Sequence, residues 1–170
     1  MSDSLNRQAP TGGTRSAFVL IGFLIACFAV AALGSVITTA QIGPYGWYGT
    51  LEKPFFNPPS WLFGPVWTVL YLLMALSGWL VWRRSGFSGA RVAMLLFFGQ
   101  LALNLLWTAI FFGLRSPGLA LIEILVLWDA ILLTALAFRL QSRLAAVLLL
   151  PYLTWVTFAV VLNAAIWWLN

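Results

Sequence analysis

The stretch LAAVLLLPYLTWVTFAVVLNAAIWWL, running from Leu144 to Leu169, decides the fold. Its 26 positions carry no charged side chain. A bilayer core about 30 Å thick is crossed by about 20 apolar residues of helix. A membrane strand would alternate apolar and polar residues, whereas Leu144–Leu150 is apolar at every position. A helix also satisfies its own backbone polar groups, which lipid cannot do. Four further runs share this character: Ala17–Ile42, Trp61–Trp82, Val92–Gly113 and Pro117–Phe138. The sequence therefore predicts an all-α membrane protein, a bundle of five transmembrane helices over residues 17–170. Residues 1–16, polar and rich in Ser, Thr and Gly, are expected to form a mobile tail.

Composition agrees. Charged residues make up 8% of the 170, against about 25% in soluble domains. The mean hydropathy is +0.97. The sequence pI of ≈ 10.2 would suggest nucleic-acid binding in a soluble protein. Here the basic residues sit scattered at helix ends, with no stripe of interleaved aromatics, so no nucleic-acid partner is expected. The first apolar run exceeds the roughly 7–15 residues of a signal-peptide core. Cys27 has no cysteine to pair with and reads as a small core residue.

Charge sets the expected orientation. Arg7, Arg15, Arg83, Arg84, Arg91, Arg139 and Arg143 fall on one side of the bundle, Lys53 and Arg115 on the other. Seven basic residues against two place the N-terminus in the cytoplasm and the C-terminus outside. Three connections are short, near Arg83–Arg91, Leu114–Ser116 and Arg139–Arg143, which makes consecutive helices antiparallel neighbours. The first loop, Gly43–Ser60, differs. Its glycines and prolines oppose regular structure, and it carries Tyr45, Trp47, Tyr48, Phe55 and Phe56. It reads either as a lid over the bundle mouth or as an interfacial aromatic belt.

Three helices carry stripes at helical spacing. They are Trp67 with Tyr71; Gln100, Asn104, Trp107 and Phe111; and Tyr152, Trp155, Ala159 and Asn163. An unpaired amide is costly in hydrocarbon, so Gln100, Asn104 and Asn163 should turn inward and bring their stripe-mates with them. The interior would then be lined by Trp and Tyr faces with a few amides, suited to a large, flat, mostly apolar ligand. Ordinary interhelical glue and core packing explain the same spacing.

The fourth span holds Glu123 and Asp129, six residues apart and so about 120° apart around the helix, too far to act as a dyad. Asp129, near mid-span, is expected to be a protonated acid hydrogen-bonded to a neighbouring helix; a proton-linked or ligand-pairing role is the alternative. Ser116-Pro117 should cap and start this helix. The chain has no His and one Cys, which excludes a His-ligated haem, a thiolate metal site and a Ser-His nucleophile. No metal or bound cofactor is expected.

At the first loop the sequence becomes specific. Trp47-Tyr48-x-x-Leu51-x-Lys53-Pro54-x-x-Asn57-Pro58-Pro59-x-Trp61 continues into Phe63-Gly64-Pro65-Val66-Trp67-Thr68-x-Leu70-Tyr71. Gln100-Leu101-x-x-Asn104-x-x-Trp107, Phe111-Phe112-Gly113, Pro151-Tyr152-x-x-Trp155 and Leu162-Asn163 follow in order. This pattern closely resembles the TspO/MBR family, the translocator proteins, over about residues 17–170. The resemblance implies a five-helix bundle, usually a homodimer, whose cavity binds porphyrins and aromatic ligands beneath the first loop. Carried over by position, the ligand-binding residues are Trp47, Trp67, Tyr71, Asn104, Trp107, Trp155 and Ala159. Apart from Trp47, the stripes point to the same set. Phe55 and Phe56 stand where many relatives have Trp, so an aromatic face survives without an indole N–H. The sterol motif of animal members is broken by Ala164 and Trp168, which argues against strong sterol binding and suggests a bacterial member.

The expected function is therefore a membrane porphyrin-binding protein: a sensor, carrier or regulator of tetrapyrrole levels that, lacking His, prefers metal-free porphyrin. The rival is an enzyme of light-dependent porphyrin degradation, for which the resemblance assigns Trp67 and Trp155 as the catalytic pair. A true transporter ranks lowest, because five helices leave no room for an inverted repeat.

Overall fold

The computed structural model describes residues 11–43 and 45–170. Arg7 and most of the expected polar tail lie outside them. Helix α1 spans Thr11–Ile42, a single turn α2 spans Trp47–Thr50, and α3 spans Ser60–Gly89. Helix α4 spans Arg91–Thr108 and continues as a π-helical turn over Ala109–Gly113; α5 spans Pro117–Gln141 and α6 Arg143–Leu169. Among the described residues, five helices are long and apolar enough to cross a membrane. The protein is an all-α membrane bundle. The first helix starts six residues before the expected Ala17, so Thr11–Ser16 extend it. The first loop is not wholly irregular, since Trp47–Thr50 make one helical turn.

Local chemistry explains the helix ends. Gly86, at φ 63°, breaks the last turns of α3, a backbone that a side chain would strain. Pro117 starts α5 as expected, but the Ser116 side chain makes no capping bond. The Ser that does cap is Ser142, whose hydroxyl accepts the Ala145 N–H at 3.3 Å and starts α6 immediately after α5 ends. The π turn of α4 is closed by the Leu114 N–H donating to the Ala109 carbonyl at 2.9 Å. Such a turn widens the helix by one residue and often marks a functional site.

The helices form a ring in the order α1, α3, α6, α5, α4, and back to α1. The sequence made α3 and α4 neighbours through their short connection. Instead α3 packs mainly on α1 and α6, and α4 on α5 and α1. One half of the ring is solid. There α1 meets α3 at Phe23 and Gly78, where an added Cβ would stand 2.7 Å from the Phe23 ring. Phe23 sets its ring against Phe97 at 5.6 Å, and Phe97 stacks on Phe138 at 5.8 Å. Cys27, Met74 and Ala75 fill the space between, wholly buried. Ser77 bonds across to the Ala145 carbonyl at 2.7 Å, and the Trp79 indole to the Ser16 carbonyl at 3.0 Å.

Candidate functional site

The other half of the ring is open. From Phe28 to Ile42, α1 separates from the Ser60–Tyr71 stretch of α3 and leaves a cavity of ≈ 1130 Å³. That is larger than the roughly 300–1,000 Å³ of most small-molecule pockets. Helices α1, α3, α4 and α6 form its wall, and the first loop lies across its end. Helix α5 contributes no lining residue.

Six of the sequence-predicted residues stand on this wall: Trp67, Tyr71, Asn104, Trp107, Trp155 and Ala159. Rings fix one another there. Trp67 lies 5.4 Å from Tyr71 and 6.1 Å from Tyr152. Trp155 lies 6.0 Å from Phe63 and 5.5 Å from Phe158. Trp107 stacks on Phe111 at 5.2 Å and donates its indole N–H to Asn163 at 3.1 Å. Trp79 and Trp128 also donate to protein oxygens. Trp67 and Trp155 make no such bond within the described residues.

Three loop aromatics are placed differently from their prediction. Phe55 is 100% exposed and off the wall. Phe56 sets its ring against Phe158 at 6.4 Å from outside the cavity. Trp47 packs edge-on to Phe111 at 5.6 Å, behind the wall. The loop aromatic on the wall is Tyr48, buried against Phe111 and Phe112. Its hydroxyl donates to the Asn57 side chain at 2.7 Å, and burial raises its pKa to about 12, so it stays protonated as a donor. Gly46, just before it, turns so tightly that a Cβ would collide with the Gln41 carbonyl. Asn170 clamps the far side of the loop, accepting from the Glu52 N–H at 3.0 Å and donating to its carbonyl at 3.1 Å.

Asn104 is on the wall but already engaged. It accepts the Tyr71 hydroxyl at 2.6 Å and donates to the Tyr152 hydroxyl at 3.1 Å, joining α3, α4 and α6. Asn163 likewise bridges Trp107 to the Pro117 carbonyl at 2.7 Å. Both amides face inward as expected and act as interhelical joints. Gln100 is also buried, its amide near the Met74 sulfur at 3.9 Å. The acids are a correction. Asp129 bonds to no neighbouring helix among the described residues; it stands on the exposed face of α5. Glu123 is buried, with neither carboxyl oxygen bonded among the described residues. Neither lines the cavity.

Sequence reasoning missed two parts of the site. The first is α1, whose Ala31, Gly34, Ser35, Thr38 and Thr39 form one wall. The Ala31/Ser35 pair, a small-xxx-small spacing that suggests helix contact, borders the open space instead. Thr39 turns its hydroxyl onto the Ser35 carbonyl at 2.6 Å, and Thr68 opposite bonds to the Gly64 carbonyl at 2.9 Å. Three hydroxyl residues in an otherwise apolar span were the available signal. The second is Lys53, the one charged side chain on the wall among the described residues. Its amine donates to the Leu51 carbonyl at 2.9 Å and the Gly49 carbonyl at 3.3 Å, and lies 5.1 Å from the Tyr48 ring centre. An ammonium carries three donors, so one remains.

The fold and cavity define a class: a multi-pass helical membrane protein with an aromatic-walled chamber and a loop across one end. The TspO/MBR family pattern matches residues 23–169, and the chain belongs to that family. It is 42% identical to the Tryptophan-rich protein TspO of Archaeoglobus fulgidus over 151 residues, 89% of this chain and 96% of that one. Identity to the human Translocator protein is 46% over 123 residues, covering 71% and 73% of the two chains. A Tryptophan-rich sensory protein of Cereibacter sphaeroides is 39% identical over 145 residues, covering 85% and 87%.

Proposed function

We propose that this protein binds a porphyrin within the membrane and acts as a sensor, carrier or regulator of tetrapyrrole levels. The observation that carries this reading is the ≈ 1130 Å³ chamber, with Trp67, Tyr71, Trp107 and Trp155 on its wall and one cation, Lys53, at its loop end. Flat aromatic faces suit a macrocycle. The spare donor of Lys53 suits a carboxylate on its rim, since a charge-assisted hydrogen bond is about twice as strong as a neutral one. Without a His for an axial bond, metal-free porphyrin is the preferred form. The names of two relatives, a sensory protein and a translocator protein, agree with a ligand-handling role. The arginine-rich end faces the cytoplasm and the loop end faces out. A homodimer belongs to the proposal on family resemblance, and strong sterol binding does not.

The test is a tryptophan-quenching titration of purified protein with protoporphyrin, haem and a sterol. Saturable quenching by protoporphyrin, weaker with haem and absent with sterol, is expected. Equal response to all three would reduce the cavity to a nonspecific greasy chamber.

A second function has one observation in its favour. The Trp67 and Trp155 indoles both line the chamber, and neither N–H is bonded within the described residues. An oxidisable indole beside a photosensitive macrocycle permits light-driven porphyrin breakdown. Stoichiometric loss of porphyrin absorbance with a new product under illumination distinguishes enzyme from binder.

A further inference from the structure

At the end of the bundle far from the cavity, the termini of α3, α5 and α6 enclose a second recess of ≈ 940 Å³. Arg84, Arg139 and Arg143 line it, with Leu136, Leu140 and Leu144 beside them. The arginines come from three different helices, brought together by specific bonds. The Arg84 guanidinium donates to the Gln141 carbonyl at 2.7 Å, and the Ser85 hydroxyl donates to the Gln141 side-chain oxygen at 2.6 Å. These bonds clamp the end of α3 to the end of α5, and buried Ser142 turns the chain directly into α6. Arg84 uses one of its five N–H donors in this clamp.

Nothing in the described fold neutralises this charge. The described acids are Glu52, Glu123 and Asp129. Glu52 is tied to Asn170 at the opposite end, Glu123 is in the second turn of α5, and Asp129 is at its middle. The leucines point the other way chemically. Leu140 is 86% exposed, Leu144 58% and Leu136 48%. In a membrane these leucines meet acyl chains, beside three guanidinium groups.

We propose that this recess is the headgroup site of an anionic phospholipid, whose phosphate the arginines hold while its acyl chains lie along the three leucines. A guanidinium matches a phosphate with two parallel N–H donors. Basic pockets between helix ends are the recurring form of lipid-headgroup sites. The apolar wall favours a lipid over a free phosphate, because one lipid molecule presents an anion to the arginines and an acyl chain to the leucines beside them. The site lies apart from the cavity and does not depend on its ligand.

Full-length protein in nanodiscs of phosphatidylcholine with increasing phosphatidylglycerol, extracted and read by native mass spectrometry, tests this. Wild type should retain phosphatidylglycerol in preference to phosphatidylcholine. Arg84→Gln and Arg143→Gln should each lower that preference about fivefold, as expected for one arginine near an anionic surface. Arg143→Gln removes no hydrogen bond of the described fold, so it stays informative if Arg84→Gln loosens the helix ends. Arg91→Gln, at the same end but outside the recess, should change little. Equal loss in Arg91→Gln and Arg143→Gln would mean diffuse surface charge and overturn the site. Unchanged retention in both recess variants would overturn it as well. Thermal protection in detergent by inorganic phosphate equal to that by short-chain phosphatidylglycerol would overturn the lipid assignment.

Discussion

The two halves of the bundle are built from equally apolar helices, yet one is solid and the other hollow. In the solid half, Gly78 lets α1 lie against α3, and Phe23, Phe97 and Phe138 interlock in the gap. In the hollow half, Gly34 and Gly64 also lack side chains, but nothing moves in to fill the space: a Cβ on Gly64 would meet no atom within 4 Å. Small residues thus serve opposite ends. Where a large ring faces them they bring helices together; where small residues and hydroxyls line both helices, as Ala31 and Ser35 on α1 and Ser60 and Gly64 on α3, they leave room for something else. The rim of the hollow half is held by hydrogen bonds, the solid half by close packing.

The largest expected effect would break that comparison at its seam. Asn104→Ala removes the joint between α3, α4 and α6 and leaves two tyrosine hydroxyls unpaired, at about 1–3 kcal/mol each. Thermal unfolding in detergent should show a large loss of stability, with weakened porphyrin binding following from it. From sequence alone Asn104 would be a ligand contact whose removal spares stability; an unchanged unfolding temperature with weakened binding would restore that view.

Lys53→Met tests the chemistry of the hollow half. Binding of a porphyrin with free carboxylates should weaken by about 1.5–3 kcal/mol, the range for a hydrogen bond to a charged group. Binding of its methyl ester should not change. Equal weakening of both, by quenching titration, would make Lys53 a loop brace alone.

Paired glycine substitutions sharpen the packing contrast directly. Gly78→Ala should cost about 1–3 kcal/mol by overpacking against Phe23. Gly64→Ala should be neutral or stabilising by up to about 1 kcal/mol through helix propensity. Chemical unfolding of both variants measures the difference; if the two agree, the halves do not differ in tightness.

Smaller effects are expected from the cavity rings. Trp67→Phe and Trp155→Phe keep an aromatic face, so porphyrin affinity should fall less than about tenfold, or 1.4 kcal/mol. A hundredfold loss would make the indole N–H an anchor, not a spare donor. If wild type bleaches porphyrin in light and these variants do not, the enzymatic function gains its main support. The smallest effect belongs to Phe55→Ala, expected within about 0.5 kcal/mol in affinity and stability because the ring touches only solvent and Phe56. A larger loss of affinity would mean that the loop closes further over a bound ligand.

Sequence by itself determined the five spans, because 20 or more apolar residues in a row have few options in water or lipid. It determined that Gln100, Asn104 and Asn163 turn inward, because an amide facing lipid is too costly. The helical spacing of the Trp and Tyr residues then carried Trp67, Tyr71, Trp107 and Trp155 to the cavity wall. Tertiary structure alone decided the ring order, in which α3 abandons its chain neighbour α4, since every helix face is apolar and sequence periodicity names no partner. It alone brought α1 into the wall, moved Phe55, Phe56 and Trp47 off it, and set Lys53 at its edge. Loop side chains follow turns such as that at Gly46, and long-range ties such as Asn170 to Glu52, which no local pattern encodes. Whether an inward amide serves a ligand or a neighbouring helix was likewise open until Tyr71 and Tyr152, on two other helices, came within hydrogen-bond reach of Asn104.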